Sequence, residues 1–153
     1  MLRLSTRSRY GLRALVNIAF KTRLGRTATA VEIAEEENIS EKYLEQLLTF
    51  LRSQGIISGK RGSKGGYTLK TKEENLTILE IIEVLEGPLE PVFCVTDKDA
   101  CERADICVTR DLWVAIYEAV RRELSNKTLK ELVDISIERG LYSERTPKTR
   151  RIC

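Results

Sequence analysis

No histidine occurs anywhere in the 153 residues. The commonest general base and the commonest metal-binding side chain are therefore missing, and hydrolysis by a histidine-assisted nucleophile is excluded within this chain. No run of about 18 apolar residues occurs either, so no membrane span is expected. The start of the chain is basic, but it has no continuous apolar stretch and no small-residue cleavage site. No export signal is read there, and a cytoplasmic location is expected. A Gly-Lys-Ser/Thr triplet is also lacking, which argues against a nucleotide-phosphate loop. With no carboxylate dyad in view, nothing here points to an enzyme.

Acid is absent from two stretches. Residues 1–26 hold Arg3, Arg7, Arg9, Arg13, Lys21, Arg23 and Arg26; residues 58–72 hold Lys60, Arg61, Lys64, Lys70 and Lys72. Residues 73–106 reverse the balance, with ten acids against two bases. A net charge of +3 hides this division. The division suggests a polyanion-binding half joined to a half that does not bind.

Apolar residues at helical spacing predict a first helix over 8–20 (Leu12, Leu15, Val16, Ala19). Thr29 and Glu32 form a capping box that opens a short second helix. Asn38-Ile39 reads as a turn. Ser40 then caps a third helix with Tyr43, Leu44, Leu47, Leu48 and Leu51 along one face, and Gly55 ends it. Ile56–Ser58 and Tyr67–Leu69 read as two short strands around a basic, glycine-rich turn. A helix-turn-helix followed at once by a two-stranded wing is a DNA-reading arrangement.

Beyond the wing, Thr77 and Glu80 form a second capping box, and Gly87-Pro88 stops the helix they open. Residues 88–107 form a loop with Cys94, Cys101 and Cys107. A long helix is expected from about Thr109, striped by Leu112, Trp113, Ile116, Tyr117, Val120 and Leu124. That stripe reads as a dimer interface, because paired heads need a pairing element outside the head. Thr128 and Glu131 open a last helix. The expected fold class is mainly α with a small two-stranded β-wing. Its parts are a winged helix-turn-helix head (1–87), a cysteine loop (88–108), a dimerisation helix with a C-terminal helix (109–140), and a basic tail without order (141–153).

If the third helix lies in the major groove, its N-terminal surface meets base edges. That surface is Ser40, Glu41, Lys42, Tyr43, Glu45 and Gln46. Gln46 can address adenine at two points and Glu45 can accept from a cytosine amino group. For Tyr43, contact and core readings are both open. The wing would bring Arg61 to the minor groove, with Lys60 and Lys64 on phosphates and glycines such as Gly66 allowing close backbone approach. Arg3, Arg7 and Arg9 are expected to contact phosphates as well. The expected partners are a double-stranded DNA operator and a second copy of the chain.

The spacing of six and five residues between the loop cysteines is not that of paired C-x₂-C zinc knuckles. Structural disulfides are not expected in the cytoplasm. Three thiolates in one loop suit a soft metal or an iron–sulfur cluster, with unligated redox-active thiols as the other reading.

Several blocks together resemble one family, the bacterial winged-helix regulators that include the iron–sulfur-assembly repressor IscR and the nitric-oxide sensor NsrR. They are Arg3-Leu4-Ser5, Ser8-Arg9-Tyr10, the run from Ile39 to Leu48, Arg61-Gly62 with Gly65-Gly66-Tyr67, Ile81-Ile82 with Glu86-Gly87-Pro88, and the cysteine triplet. The resemblance implies a homodimer with crossed long helices and transcriptional control, usually repression. In cluster-binding members it also implies an iron–sulfur cluster, most often 2Fe–2S, on the three cysteines. Arg110 stands where the assembly repressors carry a histidine ligand, and Ser8-Arg9 stand where the nitric-oxide sensors use a carboxylate of the partner. The fourth ligand is therefore open among Asp97, Asp105, Cys153, an N-terminal side chain of the partner and an exogenous thiol. The alternative within the family is a metal-free regulator sensing thiol oxidation, a metabolite or a partner enzyme.

Overall fold

The computed structural model describes residues 4–143. Arg3 and Cys153 lie outside the described residues. Six helices and one antiparallel two-stranded sheet follow in the order α1 (Thr6–Arg23), α2 (Ala30–Glu37), α3 (Glu41–Ser53), β1 (Ile57–Lys60), β2 (Gly66–Leu69), α4 (Ile78–Glu86), α5 (Arg110–Ser125) and α6 (Leu129–Glu138).

α1 is the axis of the head. Its residues 14–21 are buried on every side, with Ala14, Leu15 and Ile18 fully enclosed. α2, α3, α4, α6 and the wing all pack around it, which accounts for the breadth of its apolar face. α3 is amphipathic in the ordinary sense. Leu44, Leu47, Leu48 and Leu51 face the core, and the intervening polar positions face outward.

Local sequence fixes the joints. Thr29 Oγ1 accepts from the Glu32 amide at 3.2 Å, and the Glu32 carboxylate accepts in return from the Thr29 amide at 2.9 Å. Asn38 closes α2 in the left-handed region, φ +51°, a conformation asparagine tolerates better than other side chains. In the wing, Ile57 pairs with Leu69 and Lys60 with Gly66. An outer bridge joins Tyr67 to Ala28 by two backbone hydrogen bonds of 2.9 and 2.7 Å.

Three expectations meet the tertiary packing here. The C-terminal helix, grouped with the dimerisation helix in the expected division, packs on the head. α6 lies along α1 with Leu129 and Val133 fully buried, and its start is laced to that of α4 by Ile78 N to Lys127 O and Leu129 N to Leu76 O, both 2.8 Å. Of the expected tail, Tyr142 stacks on Phe20 with ring centroids 5.1 Å apart, and residues 144–153 lie outside the described residues. Finally, the stripe on α5 divides. Val120 and Leu124 pack onto the core of their own head, and Tyr117 is half-buried beside Arg121. Leu112, Trp113 and Ile116 remain exposed.

Candidate nucleic-acid interface and cysteine loop

Five of the six expected α3 contacts, Ser40, Glu41, Lys42, Glu45 and Gln46, are exposed on one end of α3. Ser40 occupies the N-cap position, but its hydroxyl makes no capping hydrogen bond. That corrects its expected capping role and leaves the oxygen free for an outside partner. Tyr43 divides between its two readings: half-buried, it packs edge-on against Tyr10 with centroids 5.9 Å apart.

Lys60, Arg61 and Lys64 are all exposed on the wing. Between the wing and the start of α2 lies a cleft of about 440 Å³, lined by Lys60 and Arg61 and also by Arg52. Sequence reading missed Arg52 because it sits in the last turn of α3, away from the end that reads bases. Its last-turn position beside a glycine of the wing places a third cation in this cleft.

Gly66 has a reason within the protein to be glycine. It adopts φ +137°, and a Cβ there would stand 2.9 Å from the Ala28 carbonyl oxygen. The close approach that requires it is therefore within the protein, at the outer bridge of the wing. Gly65 is similar, since a Cβ would meet the Lys60 carbonyl oxygen at 2.5 Å.

The basic run of α1 is sorted by the fold. Arg7 lies 4.5 Å over the Phe50 ring of α3, and Arg9 is exposed near Tyr10. Both remain at the surface. Arg13 and Lys21 do not; they are drawn into ion pairs with the acidic end of α2. Arg23 is tied to Glu73 at 2.5 Å and Asp134 at 2.7 Å. At the head of α1, the Ser5 amide donates to Glu86 at 2.6 Å. Burial opposes ionisation of Glu86, but hydrogen bonds from Ser5 and Ser8 outweigh it and hold its pKa below the usual carboxylate range.

Cys94, Cys101 and Cys107 are all half-exposed free thiols on a loop built from short 3-10 turns. Among the described residues no three Cys, Asp or Glu side chains come together as a metal site requires. The three thiols expected to hold an iron–sulfur cluster are therefore not gathered into one site among the described residues. Two of the open fourth ligands are engaged locally. Asp97 accepts from the Asp99 amide at 3.0 Å, and Asp105 faces Lys98 at 3.8 Å. Arg110 anchors the loop to α5 by donating from Nε to the Cys94 carbonyl at 2.8 Å. Cys107 lies 3.3 Å from the Thr109 hydroxyl, which, with neighbouring backbone amides, holds its thiol pKa below the ordinary value.

A capped helix joined by a tight turn to a second, an outward polar face on that second helix and a basic wing directly behind it together define a winged helix-turn-helix DNA-binding head. Residues 4–135 match the family model Rrf2, described as an iron-dependent transcriptional regulator, and the chain belongs to that family of DNA-binding transcriptional regulators. It is 38% identical over 131 residues to the HTH-type transcriptional regulator CymR of Bacillus subtilis, covering 86% of this chain and 89% of the relative. To the HTH-type transcriptional regulator IscR of Escherichia coli it is 31% identical over 153 residues, covering 97% and 93%. Among solved structures, CymR, titled the global cysteine regulator of B. subtilis, superposes with a TM-score of 0.74 at 38% identity over 88% of this chain and 98% of that one. IscR of T. potens gives 0.73 at 29% identity over 93% of each. No helix among the described residues is long and apolar enough to cross a membrane.

If Lys64 contacts a phosphate, Lys64→Ala releases one fewer counterion per head. The plot of log affinity against log salt is then expected to flatten by about one unit per head, with little change in sequence preference. An unchanged slope in titrations across salt concentrations removes Lys64 from the interface.

Proposed function

We propose that this protein is a homodimeric, sequence-specific regulator, acting as a repressor, that reads a pseudo-palindromic operator in the cytoplasm. α3 lies in the major groove and the wing lies in the minor groove at each half-site. The observations that carry this reading are the exposed face of Ser40, Lys42, Glu45 and Gln46 at one end of α3 and the cation cleft of Arg52, Lys60 and Arg61 between the wing and α2. Glu45 among so many bases suits a base edge better than a phosphate. Two heads reading one face of the duplex need half-sites about 34 Å apart. Selection of bound sequences from a random duplex pool tests this: two inverted half-sites at that spacing are expected, and a sequence-independent pool rules out specific reading.

Dimerisation is proposed through the free half of α5. Leu112, Trp113 and Ile116 are exposed there, and the adjoining loop adds Phe93, Ile106 and Val108. So much exposed apolar surface marks a protein contact. Trp113→Glu is expected to yield monomers in sedimentation experiments and to weaken operator binding by at least tenfold. A dimer that survives this change and Ile116→Glu places the interface elsewhere.

The cysteine loop is proposed as the sensing element, and the chemistry this arrangement favours is that of free thiols. Cys107 combines exposure with a lowered pKa, the properties of a reactive thiolate. Thr109→Val removes the hydroxyl that stabilises the thiolate, so alkylation by iodoacetamide near neutral pH should slow severalfold. An equal rate removes Thr109 from that role. A second reading, a 2Fe–2S cluster, is favoured by three cysteines in one loop and by the similarity to IscR. It requires the loop to rearrange and a fourth ligand to be supplied. Iron and acid-labile sulfide counts on protein purified without oxygen separate the two readings. Matched iron and sulfide, lost in Cys101→Ser, establish the cluster; iron-free protein that cannot be reconstituted leaves the thiols.

A further inference from the structure

On the side of α1 covered by α6, the two helices border a cleft of about 350 Å³. Its walls are the apolar residues Leu12, Val16, Leu132, Ile135, Leu141 and Tyr142, and its rim carries Arg9 and Arg139. Arg13 and Glu37 also border it but satisfy each other. Arg9 and Arg139 are exposed, and Arg139 makes no ion pair among the described residues. Ile135 and Leu141 are left 38% and 41% exposed, although α6 is otherwise docked on the head.

We propose that this cleft binds a small amphipathic monocarboxylate, with its apolar chain between α1 and α6 and its carboxylate between Arg9 and Arg139. A pocket of a few hundred Å³ with apolar walls and few polar groups is the usual form of a small-molecule site. Charge selects among occupants. Residues 144–153, which continue the chain from the edge of this cleft, carry Arg145, Lys148, Arg150 and Arg151 against one acid, and a rim of arginines repels such a segment. A second copy has its own exposed apolar surface on α5, at a separate element. An anion with an apolar body satisfies both the walls and the rim. Arg9 is also one of the proposed phosphate contacts. On that reading the carboxylate and DNA compete for the same guanidinium, and the ligand acts as an effector that weakens operator binding.

Calorimetric titration of the full chain with octanoate, hexanoate and octanol tests the site without reference to DNA. Octanoate is expected to bind roughly tenfold tighter than hexanoate, at up to about fourfold per methylene, and tighter than octanol. Arg139→Gln should weaken octanoate about fivefold, as expected for an exposed charge pair, and leave octanol unchanged. Ile135→Trp, at an exposed position the fold does not depend on, should fill the cleft and abolish binding while the circular dichroism spectrum is retained. Equal affinity for octanoate and octanol, no binding, or no response to either substitution overturns the proposal. So does displacement of octanoate by a synthetic peptide of residues 144–153, which would make that segment the occupant. Octanoate binding with these preferences but with unchanged operator affinity overturns the effector role, whereas loss of operator binding altogether speaks only to the DNA-reading proposal.

Discussion

Arg61→Ala is expected to lower operator affinity at least about thirtyfold while leaving the protein folded. Arg61 is exposed at the turn of the wing and bonded to nothing that holds the head together, so the folded state loses little. The proposed bound state loses a guanidinium from the narrowest and most negative part of the groove. A single arginine contact of this kind is worth about 1–3 kcal/mol, and a dimer forfeits it twice. Titration on an operator duplex at fixed salt reads the effect directly. Specificity at the base pairs beneath the wing should relax more than elsewhere. An affinity within threefold of the wild type would mean that the wing does not enter the groove, and the cleft of Arg52, Lys60 and Arg61 would need another ligand.

Arg13 sits six residues after Arg7 on the same helix, but its replacement is expected to act on stability instead. Arg13→Met should lower the free energy of unfolding by about 3 kcal/mol, the scale set by stranding one member of a buried ion pair. The reason lies in α2, which ends in Glu35, Glu36 and Glu37 where the helix dipole is negative. Glu37 is 1% exposed. It survives there because Arg13 Nε donates to it at 3.2 Å and Asn17 Nδ2 donates to it at 3.0 Å. The Tyr142 hydroxyl is its third donor. Burial, and then the Glu37 carboxylate itself, push the Tyr142 pKa up, so the hydroxyl keeps its proton and remains a donor. Arg13 also donates to the Glu37 carbonyl, closing the end of α2. Urea denaturation measures the loss. Adding Glu37→Gln to Arg13→Met should recover part of it, since the stranded charge is gone. A loss below about 0.5 kcal/mol refutes the network. A loss of operator affinity in protein that remains folded would instead place Arg13 among the phosphate contacts.

Arg7, Arg9 and Arg13 look alike in the sequence, and their different fates show what sequence reading can resolve. All three lie on a helix without acids, so local pattern by itself offers no measure of their different surroundings. Their separation depends on a carboxylate 24 residues away from Arg13 and on the ring of Phe50 under Arg7. The cysteines fall on the same side of that line. Their presence in one loop is legible, whereas their distances from one another depend on how the loop folds, on which the spacing of six and five says nothing.

The amino-acid sequence by itself determined the helix-turn-helix and the wing. Their signals are local: a capping box four residues long, a leucine stripe at helical period, glycines around a basic turn. It also determined that the chain belongs with DNA-binding regulators, because those elements follow one another in a fixed order. The tertiary structure alone decided that α6 packs on the head, that half of the α5 stripe serves the core of its own chain and half is left bare, and that Gly66 lies against Ala28. Each of these rests on which distant surfaces meet. An apolar face must be buried somewhere, and periodicity specifies the face without specifying what it packs against.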